Sequence, residues 1–101
     1  MLINAKEAHE ATKQNRIDTL ENVKKLLIKQ EKRFNKTIQK AIDRGEVSAR
    51  ITNLNIPYRS GQELTIETIV KAYFQDAGYK IIHVYTEDNM IDRIAIGWSE
   101  V

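Results

Sequence analysis

Residues 41–52, AIDRGEVSARIT, hold the point at which the periodicity of this chain changes, and the fold follows from how they are read. Up to Asp43 the apolar positions recur at helical spacing; beyond Gly45, Val47, Ala49 and Ile51 alternate with Ser48, Arg50 and Thr52, which is the signature of a half-buried strand. Gly45 can take the left-handed backbone that closes a helix, so Asp43-Arg44-Gly45 reads as a helix end.

Working back from there, the chain contains neither glycine nor proline before Gly45, so one helix can run unbroken through the first forty-odd residues. Its apolar stripe is Ile17, Leu20, Val23, Leu27, Phe34, Ile38 and Ala41, with Leu20, Leu27, Phe34 and Ala41 on a seven-residue step. Lys24 and Glu31 occupy the other seam position of that heptad, which disfavours a two-stranded coiled coil but suits packing on a sheet or on other copies of the chain. Ala5, Ala8 and Ala11 add a run of small residues that lets another helix approach.

Working forward, residues 55–65, NIPYRSGQELT, form a connector in which Pro57 fixes its own φ and biases Ile56 to an extended conformation. Thr65 is the expected N-cap of a second helix, with Leu64, Ile66, Ile69, Val70, Tyr73 and Phe74 at helical spacing, that closes at Gly78. YKIIHVY reads as a strand, TEDN as a turn, and MIDRIAIGW as a final strand with Ile94, Ile96 and Trp98 on one side and Arg93, Ala95 and Gly97 on the other. The expected class is α+β: a single domain over residues 1–101, with a long oligomerisation helix over 1–44 and a compact β-α-β-β unit over 45–101 built on a small antiparallel or mixed sheet.

A chain of 101 residues with 42% hydrophobic and 30% charged residues has the composition of a small globular domain with a modest core. It contains no cysteine, which removes disulfides, thiol nucleophiles and thiolate metal sites. No apolar run approaches the ~18 residues of a membrane span, so a cytoplasmic protein without membrane contact is expected. The net charge of +2 is unevenly spread: residues 1–44 hold eleven Lys/Arg against six Asp/Glu, and residues 45–101 five against eight. Lys24, Lys25, Lys29, Lys32, Arg33, Lys36 and Lys40 face only Glu31, either as a solvated helix face or as a phosphate-attracting cluster. The aromatic residue within the run, Phe34, belongs to the apolar stripe, so no aromatic interleaves with the basic face as a base-stacking surface requires, and polymeric nucleic acid is not the expected partner.

Catalytic patterns are thin. His9 and His83 lack a partner at metal or triad spacing, and Ser48, Ser60 and Ser99 lie in no nucleophile-elbow context, so a non-enzymatic protein without cofactor or metal is expected. What remains is binding chemistry. Tyr58 and Arg59 in the connector make a stacking and phosphate-binding pair, beside the Ser60 hydroxyl and the amides near Gly61, unless the segment is an ordinary turn. Arg50 and Arg93, on the polar sides of the first and last strands, join that pair if those strands are neighbours, so that a sheet face or subunit cleft carrying Arg50, Arg59 and Arg93 is the expected anion site, unless these arginines pair with Glu46, Glu87 and Asp92.

Four stretches, LINAKEAHEAT (2–12), IQKAIDRGEVSARI (38–51), LTIETIVKAYFQDAGYKI (64–81) and IAIGWSE (94–100), resemble a widespread family of small bacteriophage proteins. That family has an A-K-E-A helix, a G-x-x-S segment, a helix ending in G-Y-K-V and an I-S-W terminus. Here glycine stands at position 97 where the pattern has serine, and His9 stands where a basic Arg is expected. The resemblance extends to anti-CBASS sponges that sequester cyclic oligonucleotide signals of bacterial immunity, and it implies that Lys6, Thr12, Ser48 and Trp98 serve ligand binding. Its implied partners are a cyclic dinucleotide or trinucleotide and further copies of the chain, as a dimer or tetramer through the N-terminal helix, inside an infected bacterial cell. The alternatives are a host-takeover protein that inhibits a bacterial protein, and a nucleic-acid binder using the basic helix.

Overall fold

The computed structural model describes residues 1–99 in the order α1 (Ala5–Ile28), α2 (Glu31–Asp43), β1 (Ser48–Ile51), β2 (Ile56–Pro57), α3 (Glu63–Asp76), β3 (Lys80–Glu87) and β4 (Met90–Gly97). The class is α+β, with helices on one face of a small antiparallel sheet. Strand β4 is its spine: β3 pairs along one side, while β1 and β2 follow one another along the other, with Ser48 opposite Gly97, Arg50 opposite Ala95 and Ile56 opposite Ile91. β2 is a two-residue addition to the expected β-α-β-β order, and β1 covers only the middle of the expected EVSARIT strand.

Between β1 and β2 the edge is broken at Thr52–Asn55, where Asn53 and Asn55 take positive φ of 56° and 52°. Asparagine tolerates that conformation better than other side-chain-bearing residues. The break turns Leu54 into the core, 1% exposed, while its backbone N–H still donates to the Asp92 carbonyl at 2.8 Å. β4 has its own irregularity: Tyr85 pairs with Arg93 but Thr86 with Ile91, so Asp92 is an extra residue. Such a bulge shifts the alternation by one position, which lets Ile91 share the buried face with Ile94 and Ile96. A second bulge at Ile82 puts that side chain over Gly97, its Cδ1 3.3 Å from where a Cβ would stand.

The core joins Ile51, Leu54, Ile56, Ile91, Ile94 and Ile96 of the sheet layer to Val23 and Leu27 of α1, Phe34 and Ile38 of α2, and Ile66, Val70 and Phe74 of α3. All are under a tenth exposed. Phe34, Phe74 and Tyr73 pack ring on ring, with centroids 5.2 to 6.4 Å apart.

Two local expectations are corrected. The N-terminal helix does not run through to Asp43; it breaks at Lys29–Gln30 without glycine or proline. The reason is tertiary: the Gln30 amide donates to the carbonyls of Leu26 and Leu54, and the Arg33 guanidinium donates to the carbonyls of Thr52 and Asn53 and to the Gln30 side-chain oxygen. These bonds satisfy the broken edge strand by drawing the start of α2 onto it. The second helix begins at Glu63 and not at Thr65, with Gln62 at the N-cap position but no side-chain cap bond, because the Arg59–Gln62 turn leaves Gln62 already in helical backbone geometry. Leu64, expected among its apolar positions, is 78% exposed. The other punctuation stands as read: α2 ends at Asp43 with Gly45 at φ +74°, Gly78 follows α3 at φ +95°, and Asp88-Asn89, both at positive φ, make the two-residue hairpin turn. Among the described residues no helix is long and apolar enough to cross a membrane.

Candidate functional site

The sheet face turned away from the helices is open, and the strand registers decide what stands on it. Because Arg50 lies opposite Ala95 and Ala95 opposite His83, one row across the face reads Arg50, Ala95, His83; the neighbouring row pairs Arg93 with Tyr85. Small Ala95 forms the low point of this face between Arg50 and His83, whereas Gly97 is buried beneath the Ile82 side chain. The Arg93 guanidinium lies 4.8 Å and that of Arg50 5.6 Å from the Tyr85 ring centroid, and His83 meets the same ring edge-on at 4.4 Å. Tyr85 is thus an aromatic hub between two cations, a geometry in which the ring quadrupole holds both guanidiniums over its faces. Ser48, opposite Gly97, adds an exposed hydroxyl at the end of the face.

The electrostatics of the two arginines differ. Arg93 lies 3.3 Å from a carboxylate oxygen of Asp92, close enough for partial neutralisation, but the Nε–H is not aligned to donate to it. Arg50 is exposed and has no ion pair among the described residues, and Glu46 is taken by Arg44 at 3.2 Å. The face therefore keeps a net positive character, with guanidinium donors left for an anion and an aromatic surface beside them.

The sequence-predicted positions fall into separate regions. Ser48, Arg50 and Arg93 come together on the open face. Tyr58 and Arg59 lie on the helical side, in a groove against Asn15, Asp18 and Asn22 of α1, with Tyr58 half-buried against the core. Their loop is a tight turn in which the Gln62 N–H donates to the Arg59 carbonyl at 2.9 Å and Gly61 takes φ +84°. Thr12 lines a second shallow groove, between α1 and Gly61, Gln62 and Thr65. Lys6 is exposed in the first turns of α1. Trp98 is half-buried against the core, its ring meets Tyr79 edge-on at 5.9 Å, and its backbone N–H donates to the Val47 carbonyl at 2.9 Å. The basic run does not form one free cationic face either, since Arg33 is bound to the Thr52–Asn53 carbonyls.

Sequence reading passed over Tyr85 and His83. Alternation along KIIHVYTE puts His83 and Tyr85 on one side of β3, a legible signal, but nothing in the linear order says that this side meets Arg50 and Arg93. On the helical side, the Tyr73 hydroxyl donates to the Glu31 carboxylate at the mouth of an apolar groove of about 770 Å³ between α1, α2 and α3. Burial, and then the Glu31 hydrogen bond and charge, push the Tyr73 phenol far above its ordinary value.

No protein-family model, curated protein or solved structure matches the chain.

Proposed function

We propose that this is a non-enzymatic phage protein that sequesters a cyclic oligonucleotide second messenger of host defence, holding it on the open face of the sheet. The observation that carries the reading is the Arg50–Tyr85–Arg93 cluster with His83 beside it. Phosphodiesters suit the guanidinium forks, and bases suit the Tyr85 and His83 rings. Ala95, the small residue between Arg50 and His83, leaves room for a planar ring beside the cluster, and the Ser48 hydroxyl offers a polar contact at the edge. Sequestration needs binding alone, and two arginines match a ligand with two or three phosphates better than a long polymer. Cyclic ligand chemistry and phage context come from the sequence resemblance; the placement of the ligand comes from the arginine–tyrosine cluster.

The test is calorimetric titration with a panel of cyclic di- and trinucleotides, followed by recovery of the bound ligand. The expected result is saturable binding, intact release, and at least a tenfold loss of affinity in the Arg50→Ala/Arg93→Ala double variant. A cyclic di- or trinucleotide carries only two or three charges and no condensed counterion sheath, so its affinity should fall with salt far less steeply than that of a polymer bound along a lysine-rich helix. Absence of binding across the panel, or full affinity in the double variant, rejects the reading.

A second reading, capture of a host protein by strand addition, is favoured by one feature: among the described residues β3 has a strand partner, β4, on one side only along Ile81–Glu87. Pull-down from host lysate with wild-type protein and with a proline at an outward-donating β3 position separates it from nucleotide binding.

A further inference from the structure

Two features of the helical side lack a counterpart within the chain. The first is the amino-terminal part of α1: from Ala5 to Asp18 no residue is buried, and the apolar Leu2 and Ile3 ahead of it are 94% and 71% exposed. A helix arm of that length has little stability in water by itself. The second is the apolar groove lined by Leu20 and Ile28 of α1, Phe34 and Ile38 of α2, and Ile69 and Tyr73 of α3. Arm and groove lie along the same stripe of the same helix. Lys6, Glu10, Lys13, Ile17, Leu20, Lys24 and Ile28 follow one another at steps of three or four, so they share one face of α1.

We propose that a second copy of this chain covers this face, with the two α1 helices antiparallel about a two-fold axis at Ile17. In that arrangement, residues equidistant from Ile17 on either side face each other. Lys24 meets Glu10 of the partner subunit, and Lys13 meets Glu21 of the partner subunit, so Glu10 and Lys13 of each arm find the opposite sign. The Ile28 side chain, 57% exposed in the single chain, lies against the aliphatic stem of Lys6 of the partner subunit. At 1.5 Å per residue, Lys6 and Ile28, both within α1, lie about 16 Å from the axis on either side, so the exposed apolar tip just ahead of each arm falls beside the end of the other subunit's α1, where its groove opens. Ile17 itself, 41% exposed, meets its own copy. A parallel pair places Lys24 on Lys24, Lys13 on Lys13 and Glu10 on Glu10, so the charge pattern selects the antiparallel arrangement. The contact is isologous and closes at two subunits. The four ion pairs set the register, while the apolar groove and tips supply the attraction. This inference does not depend on the ligand, since the open sheet face is on the other side of the molecule.

The chain contains no cysteine, so single cysteines report the register directly. Ile17→Cys should form a disulfide-linked homodimer under mild oxidation. Lys6→Cys alone should not, whereas Lys6→Cys mixed with Ile28→Cys should yield the mixed dimer. Lys24→Glu should raise the dimer dissociation constant in sedimentation at least tenfold, and adding Glu10→Lys in the same chain should restore it, with the helical circular dichroism signal unchanged in both. A monomer at all concentrations, a self-linked Lys6→Cys dimer, or failure of the charge-swapped double variant to recover overturns the proposal.

Discussion

Replacing Tyr85 by leucine removes the hub of the open face while leaving an apolar side chain on β3. Two cation–π contacts and one edge-on aromatic contact are lost, with centroid distances of 5.6, 4.8 and 4.4 Å. Cation–π contacts at exposed sites are worth about 0.5–1 kcal/mol each, and an aromatic pair about 0.5–1.5 kcal/mol. The lower ends apply here, because Arg50 is exposed and the Arg93 side chain is 38% exposed, so water and salt weaken both attractions. The expected cost is about 1.5 kcal/mol, read as a fall of roughly 6–12 °C in Tm for a domain of this size. Tyr85→Phe keeps the ring and should stay within about 0.5 kcal/mol of wild type. A double-mutant cycle between Tyr85→Leu and Arg93→Met, by urea unfolding, should return a coupling of about 0.5–1 kcal/mol, and calorimetry should show the nucleotide affinity falling with the leucine but not with the phenylalanine. A coupling indistinguishable from zero would refute the energetic picture of the cluster. A nucleotide affinity indifferent to Tyr85→Leu would remove the ring from the site.

Two further outcomes test the fold around the site. Ile94→Ala, at a fully buried position of β4 flanked by Ile51 and Val84, should cost roughly 2–5 kcal/mol in urea unfolding. That is a large part of the roughly 5–15 kcal/mol of a domain this size, and a loss below about 1 kcal/mol would place Ile94 outside the core. Tyr73 holds its proton more tightly in the folded chain than in the unfolded one, so its contribution to stability is complete below its ordinary value of 10.0 and is lost as pH rises above it. Tyr73→Phe should flatten the alkaline limb of the stability curve, and identical limbs for the two proteins would show that Tyr73 is not the group responsible.

Much of this architecture is local and was legible residue by residue. The change from helical to alternating periodicity at Gly45, the left-handed caps at Gly45 and Gly78, and the Asp88-Asn89 turn depend on side chains acting on their own backbone. The same holds for the apolar sides of α3 and β4. The helix break at Lys29–Gln30 was not legible, because its cause is a set of carbonyls twenty or more residues away: Gln30 and Arg33 are ordinary helix residues until Thr52, Asn53 and Leu54 are brought beside them. The displaced start of α3 is a smaller case of the same kind, set by the turn ahead of it.

For the candidate site the division is sharper. Alternation put Arg50 and Arg93 on the polar sides of their strands, and the make-up of the connector singled out Tyr58 and Arg59 as a polar, aromatic loop. It could not choose among them, since a strand carries no information about which strand it will pair with. Pairing of both β1 and β3 with β4 put Arg50, Arg93, His83 and Tyr85 on one face, and the packing of α1 drew Tyr58 and Arg59 to the other side. Helix, strand and turn were properties of short stretches of this chain; the meeting of two arginines over one tyrosine required the long-range registers that only the folded sheet supplies.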